Sequence, residues 1–260
     1  MKAAENIQKE CQAFVDGDRQ SLYSEKLEKF KSDLLAQIHK DCKHDQIYSG
    51  LTFLIDLSWG VPRHLLMLLK HIFSWAIFNG DNPNPRKPIS LRAQREGIAE
   101  ASEWFFNDSR KVGADGKLVQ ECISRLGNFF RAIRYSDKPS ECSVSGAFSF
   151  QREKLSSESQ RMLDIALQWS LLVDVGVQSE RNSGNIELKV QLNRMLAPRW
   201  DLANYRRGVF SLQTSEADAI FQKESQMKFE EAVKRRVARM MAPSFRGSDD
   251  GHDDLLTDIK

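Results

Sequence analysis

The sequence predicts a mainly α protein: a helical bundle, then a winged-helix-like α+β domain, then a long C-terminal helix. Three observations carry that reading. Apolar residues recur at helical spacing through most of the 260 residues. Strand-like alternation is confined to short stretches between residues 143 and 192. A proline-rich segment, Gly80 to Pro88, separates the first helices from the rest. The expected boundaries are a bundle over 1–80, a linker over 81–89, the α+β domain over 90–212, a helix over 213–242 and an acidic, disordered tail over 243–260.

Taking the elements in order, Leu27, Phe30, Leu34 and Ile38 place an amphipathic helix near residues 22–40. A second helix, about 46–58, carries Leu51, Leu54, Ile55 and Leu57. Gly60 breaks it, and Pro62 stands at the first position of the next helix, where its missing N–H costs nothing. That helix runs to Phe78 and is apolar on nearly all sides, so it is expected at the centre of the bundle. Beyond the linker, Ser90 is a natural cap for a helix over 91–107 with Ile98, Ala101, Trp104 and Phe105 on one side. Leu118, Cys122, Leu126, Phe129, Phe130 and Ile133 mark a helix over 117–134. Ser143 to Phe150 reads as a strand. Ser156 or Ser157 caps a helix to Leu171. Leu172–Gln178 and Asn185–Leu192 form a hairpin about the turn Arg181 to Gly184. Only one helix stands between the first strand and the hairpin, where a winged helix usually has two. Thr214 is expected to cap the last helix, with Glu216 in its first turn and Ile220, Phe221, Phe229, Val233, Val237 and Met240 as its apolar stripe, up to Pro243.

Composition bounds the function. Hydrophobic residues make up 41% and charged residues 28%, ordinary globular values. The net charge is +2, so any nucleic-acid site must be local. Cys11, Cys42, Cys122 and Cys142 form no CxxC pair and fit reduced thiols of a cytoplasmic protein. No apolar stretch is long enough for a membrane span, and the N-terminus does not read as a signal peptide. GxSxG, HExxH and DxDxDG strings are absent. His39, Cys42 and His44 lie close together, but a structural zinc wants four ligands and no fourth is evident, so no metal is expected. Asp56, Asp164 and Asp174 interrupt apolar patterns and are expected to be exposed or ion-paired.

The most informative residues are Gly60-Val61-Pro62-Arg63. They put an arginine in the first turn of a helix, where a cation opposes the helix dipole. A bound anion shared by Arg63 and the free backbone N–H groups would explain it; a solvated or surface-paired arginine is the plainer alternative. Cations for duplex DNA are sparse: Arg161 on the helix that would enter a groove, Arg181 and Lys189 on the hairpin, then Arg199, Arg206 and Arg207. Lys228, Lys234, Arg235, Arg236 and Arg239 fan around the last helix, either as a solvated face or as a docking surface.

Two segments carry a family resemblance. Tyr48-Ser49-Gly50-Leu51, with Leu57-Ser58-Trp59-Gly60-Val61-Pro62-Arg63-His64-Leu65-Leu66-Met67-Leu68-Leu69, resembles the sensor-2 region of AAA+ ATPases, most closely the bacterial members related to the origin recognition complex. Leu196-Ala197-Pro198-Arg199-Trp200-Asp201-Leu202, Arg206-Arg207-Gly208 and Ala219-Ile220-Phe221 are similar to the C-terminal end of that family. The resemblance spans about residues 22–222. It implies a helical lid followed by a winged helix, with Arg63 matching the sensor-2 arginine that touches the γ-phosphate of ATP on the preceding ATPase domain. The sequence contains no GxxxxGK[ST] loop. Its nearest string, Gly113-Ala114-Asp115-Gly116-Lys117, is too short and reads as a turn between helices. No strand followed by paired acidic residues offers a Walker B site. ATP is therefore expected only with a P-loop segment or chain as partner. The alternatives are a stand-alone winged-helix DNA-binding protein and an adaptor that binds protein through the stripe of the last helix.

Overall fold

The structure is a computed structural model that describes residues 2–17, 48–81, 83–84, 87–135, 147–179, 186–202, 209–223 and 225–240. The chain divides into two compact units, Met1–His44 and Asp45–Lys260. In the first unit, helix α1 spans Lys2–Val15. The helix expected near 22–40, the turn Arg181 to Gly184 and the acidic tail lie outside the described residues.

In the second unit, helix α2 covers Leu51–Ser58. Gly50 enters it at φ 92°, a conformation that suits glycine, and its N–H donates to Gln94 Oε1 at 2.8 Å. Trp59 and Gly60, both at positive φ, turn the chain into helix α3, Pro62–Phe78, with proline in the first turn. Asp81 accepts from the Ser90 N–H at 3.1 Å, and Ser90 Oγ caps helix α4, Leu91–Asp108. A 3-10 turn over Ser109–Val112 and Gly113 at φ 93° lead into helix α5, Gly116–Arg134. The string Gly113 to Lys117 is thus a short turn running into the first residues of α5. A Cβ at Gly116 would press on the Arg110 carbonyl, so that glycine serves packing.

The centre of the unit belongs to α5 rather than to α3. Val119, Cys122, Ile123, Leu126, Phe129, Phe130 and Ile133 of α5 are all buried. Helix α3 buries Leu68, Ile72 and Ala76 and leaves Leu66, Leu69, Phe73 and Ile77 exposed, correcting its expected central place. Its contact side is set by α4, which approaches so closely that a Cβ at Gly97 would overlap the Ile72 backbone.

Strand β1 (Ala147–Phe150) pairs antiparallel with β3 (Ile186–Leu192) and parallel with β4 (Phe210–Ser211). Strand β3 also pairs antiparallel with β2 (Leu172–Ser179), with an irregularity between Asp174 and Gly176. The order is β2-β3-β1-β4. Between β1 and β2 lie a 3-10 turn, Arg152–Lys154, and one helix, α6, Ser157–Gln168, capped by Ser156. The whole is mainly α with a winged-helix-like α+β part, as the residue pattern predicts.

After β3, Asn193 caps a 3-10 segment, Arg194–Trp200, that buries Met195, Leu196, Ala197 and Trp200 against α2, α4 and α5. The single C-terminal helix expected from Thr214 is two helices: α7, Thr214–Phe221, and α8, Gln226–Met240. The cap is Gln213, in a reciprocal box with Glu216, rather than Thr214. The break has an identifiable cause. Gln222 turns extended, and the α7 carbonyls it frees go to side chains: Ala219 O accepts from Arg125 Nη1 and Ser225 Oγ, and Phe221 O from Cys122 Sγ. Phe221, Phe229, Val233 and Val237 are buried in this unit. These residues of the stripe offered to an adaptor partner are therefore core.

Candidate functional site: the Arg63 corner

Arg63 occupies the first turn of α3, directly after Pro62. The turn is tight: Val61 N–H donates to Ser58 O at 3.0 Å, and His64 and Leu65 both donate to Val61 O, at 3.0 and 3.2 Å. Val61 at the cap has no side-chain acceptor, and the first turn has no acidic residue. Arg63 is exposed and has no ion-pair or hydrogen-bond partner among the described residues. The helix end and the guanidinium thus offer two uncompensated positive elements at one place.

Neighbouring side chains pack against the corner. The His64 ring packs edge-on against Phe105, 5.1 Å between centroids. Burial lowers the His64 pKa; the Ser58 backbone hydrogen bond opposes this, and the Arg63 charge lowers it further. His64 is therefore neutral near pH 7 and adds no charge. Arg194 lies 4.7 Å over the Trp59 ring and donates from Nη1 to Asp56 O at 3.1 Å, fastening the 3-10 segment beneath α2. Burial lowers the Arg194 pKa, with Asp56 opposing.

The second resemblance-bearing segment is structural at each described position. Arg199 pairs with Glu103 and sits 4.2 Å over the Phe106 ring. Its charge is answered within the chain. Arg131 pairs with Asp201 at 3.5 Å, and the Tyr48 hydroxyl donates to Leu202 O at 2.9 Å. Trp200 lies so close to α5 that a Cβ at Gly127 would overlap its indole.

Of the DNA candidates, the described residues include Arg161 and Lys189. Arg161 on α6 is ion-paired with Asp115, which precedes α5. Lys189 is half-buried on β3, opposite Ser149 on one side and Gly176 on the other. Arg181, Arg206 and Arg207 lie outside the described residues. Asp164 takes both of its bonds from Arg152 Nη2, at 2.7 and 2.9 Å, and Asp174 accepts from the Gly176 N–H at 2.8 Å, so neither is a free carboxylate. Among the described residues no cluster of His, Cys, Asp or Glu is placed to hold a metal, and no helix is long and apolar enough to cross a membrane. His39, Cys42 and His44 lie outside them.

Two side chains escaped the sequence reading, Arg110 and Arg125. The signal was present for Arg125: it stands three residues after Cys122 and four before Phe129, on an otherwise buried side of α5.

Comparison with known proteins adds one match. No curated protein and no solved structure matches the chain. A family model described as ORC-CDC6-like matches residues 2–212. That span includes the Arg63 corner and the segment that fastens it, and the chain belongs to the ORC-CDC6-like family, related to the AAA+ ATPases.

Proposed function

We propose that this chain serves as the lid and winged-helix portion of an ORC-CDC6-like AAA+ ATPase, with Arg63 directed at the phosphates of ATP held by a P-loop segment or partner chain. The observation that carries the reading is the exposed Arg63, without a partner among the described residues, at an uncapped helix start. A planar guanidinium beside first-turn amides suits a phosphate oxyanion. ATP would supply the charged γ-phosphate. Arg63 would hold it and stabilise the charge that develops as it transfers, without accepting a proton.

A second observation agrees. On the same helix Leu66, Phe73 and Ile77 are 67%, 49% and 57% exposed, an apolar strip that a folded neighbour would cover. The test is co-expression with a P-loop ATPase segment encoded beside or upstream of the chain, followed by ATP hydrolysis assays. Arg63→Ala is expected to lower turnover by roughly a hundredfold, as loss of a charge-stabilising donor does. Unchanged turnover in that variant would remove the assignment.

Duplex DNA binding is the competing reading, favoured by the sheet order β2-β3-β1 and by Lys189 on β3. It requires salt-dependent binding that falls when Arg181 and Lys189 are changed to Ala. No binding at low salt would exclude it.

A further inference from the structure

A cleft of about 440 Å3 opens where α5 faces the end of α4 and the start of α8. Arg110, Lys117, Arg125 and Arg199 line it, against one carboxylate, Glu121. Two of the four cations are already answered: Arg199 pairs with Glu103, and Lys117 stands 4.0 Å from Glu121. Among the described residues, no carboxylate answers Arg110 or Arg125.

Arg125 is only 7% exposed, yet its hydrogen bonds go to neutral acceptors. Nε donates to Glu121 O at 3.4 Å, Nη1 to Ala219 O at 3.2 Å and to Ser225 Oγ, and Nη2 to Cys122 Sγ at 3.5 Å. Among the described residues no carboxylate pairs with it. A buried charge without a counter-charge is costly to keep, and an anion in the adjoining cleft would relieve that cost.

Arg110 is aimed. Its Nε donates to Gln120 Oε1 at 2.9 Å, and the buried Gln120 donates from Nε2 to Phe106 O at 2.8 Å. Both Nη groups of Arg110 remain without a partner among the described residues, presenting an end-on fork that matches two oxygens of a tetrahedral oxyanion. Ser124 and Asn128, also on α5, add neutral donors to the same walls.

We propose that this cleft binds a phosphate group, free or as the terminal group of a small monoester. Two uncompensated guanidinium charges match a dianion, which such a group becomes near neutral pH. The site is separate from the Arg63 corner and does not depend on it.

The test uses the whole chain, with thermal unfolding and titration calorimetry at constant ionic strength. Inorganic phosphate and glycerol 3-phosphate are the probes; chloride, sulfate and a short DNA duplex are the controls. Phosphate is expected to raise Tm saturably. Arg110→Gln removes the fork and should weaken binding at least tenfold; Gln120→Ala, which loses the same hydrogen bond but keeps the fork, controls for any fall in ligand-free Tm. Gln120→Ala should weaken it less, because the fork persists but is no longer held. Arg63→Ala should leave it unchanged, which keeps this site distinct from the proposed nucleotide contact. Stronger binding of glycerol 3-phosphate than of phosphate assigns a phosphorylated metabolite; equal binding assigns the free ion. The proposal is overturned if phosphate stabilises no more than chloride, if sulfate binds equally well, if Arg110→Gln responds like wild type, or if only the duplex binds.

Discussion

The hydroxyl of Tyr48 donates a 2.9 Å hydrogen bond to the carbonyl of Leu202, across 154 residues of sequence and in a buried site. It joins the start of one resemblance-bearing segment to Leu202 of the other. Tyr48→Phe removes the donor and strands a buried carbonyl, and is expected to destabilise the chain by about 1–2 kcal/mol in urea denaturation. Burial, reinforced by Asp201 and opposed by Arg134, holds the phenol well above its ordinary pKa of 10.0. A raised folded-state pKa means that the neutral form is the one stabilised. This contribution is complete below pH 10 and is lost as pH climbs from there toward the folded-state value. Tyr48→Phe should therefore flatten the alkaline limb of the stability profile.

Trp200 lies against Gly127 with no room for a methyl group between them. Alanine favours helix by about 1 kcal/mol over glycine, but Gly127→Ala would drive the indole from its place. A net loss of about 1–3 kcal/mol is expected from overpacking. A Tm equal to or above wild type would show that the two elements separate more readily than their contact implies.

Glu216 closes the cap of α7 and also receives Arg236 of α8, with Nε to Oε1 at 2.9 Å and Nη2 to Oε2 at 2.5 Å. Arg236 in turn lies 4.6 Å over the Phe210 ring. Glu216→Ala loses a cap and leaves a mostly buried guanidinium unpaired, and is expected to cost about 2–4 kcal/mol. Proteolysis of the native variant should then begin at the α7–α8 break. An unchanged cleavage pattern would place the weak point elsewhere.

Cys122 is buried, and burial pushes its thiol up to about 11 against the pull of Arg125. The thiolate is the reactive form, so at pH 8 this residue should resist iodoacetamide while the partly exposed Cys11 reacts. Peptide mass spectrometry before and after unfolding reads this directly. Labelling of Cys122 in the native protein would mean that α5 opens locally.

Local chemistry made most of the helices legible in the sequence. Gly60 and Pro62 mark the α2–α3 corner, Ser90 and Ser156 cap the helices that follow them, and the alternation of Ile186 to Leu192 is a strand. What escaped depends on partners far along the chain. Residues 222–225 contain neither glycine nor proline, so nothing local announces the α7–α8 break; Arg125, about a hundred positions earlier, takes the freed carbonyl. The central place expected for α3 failed for a related reason. Apolar content alone does not say which side has a neighbour, and α5, with more charge, is better covered. For the site, the position of Arg63 at a helix start was readable from Pro62. Its lack of a partner among the described residues, and the pairing of Arg161 with Asp115 and of Arg199 with Glu103, were not, because ion pairs between separate elements leave no local pattern.

The 3-10 segment Arg194–Trp200 packs on α2, α4 and α5, all of which precede it. On the ribosome, those helices emerge before the plug that closes them. At about 5–20 residues per second, the stretch from Leu57 to Leu196 takes roughly seven to thirty seconds to synthesise. Through that interval the nascent bundle holds an open seam where Leu196 and Trp200 will later sit. Its completion is timed by translation, and a pause in the codons before Arg194 would lengthen the period in which holdase chaperones find it.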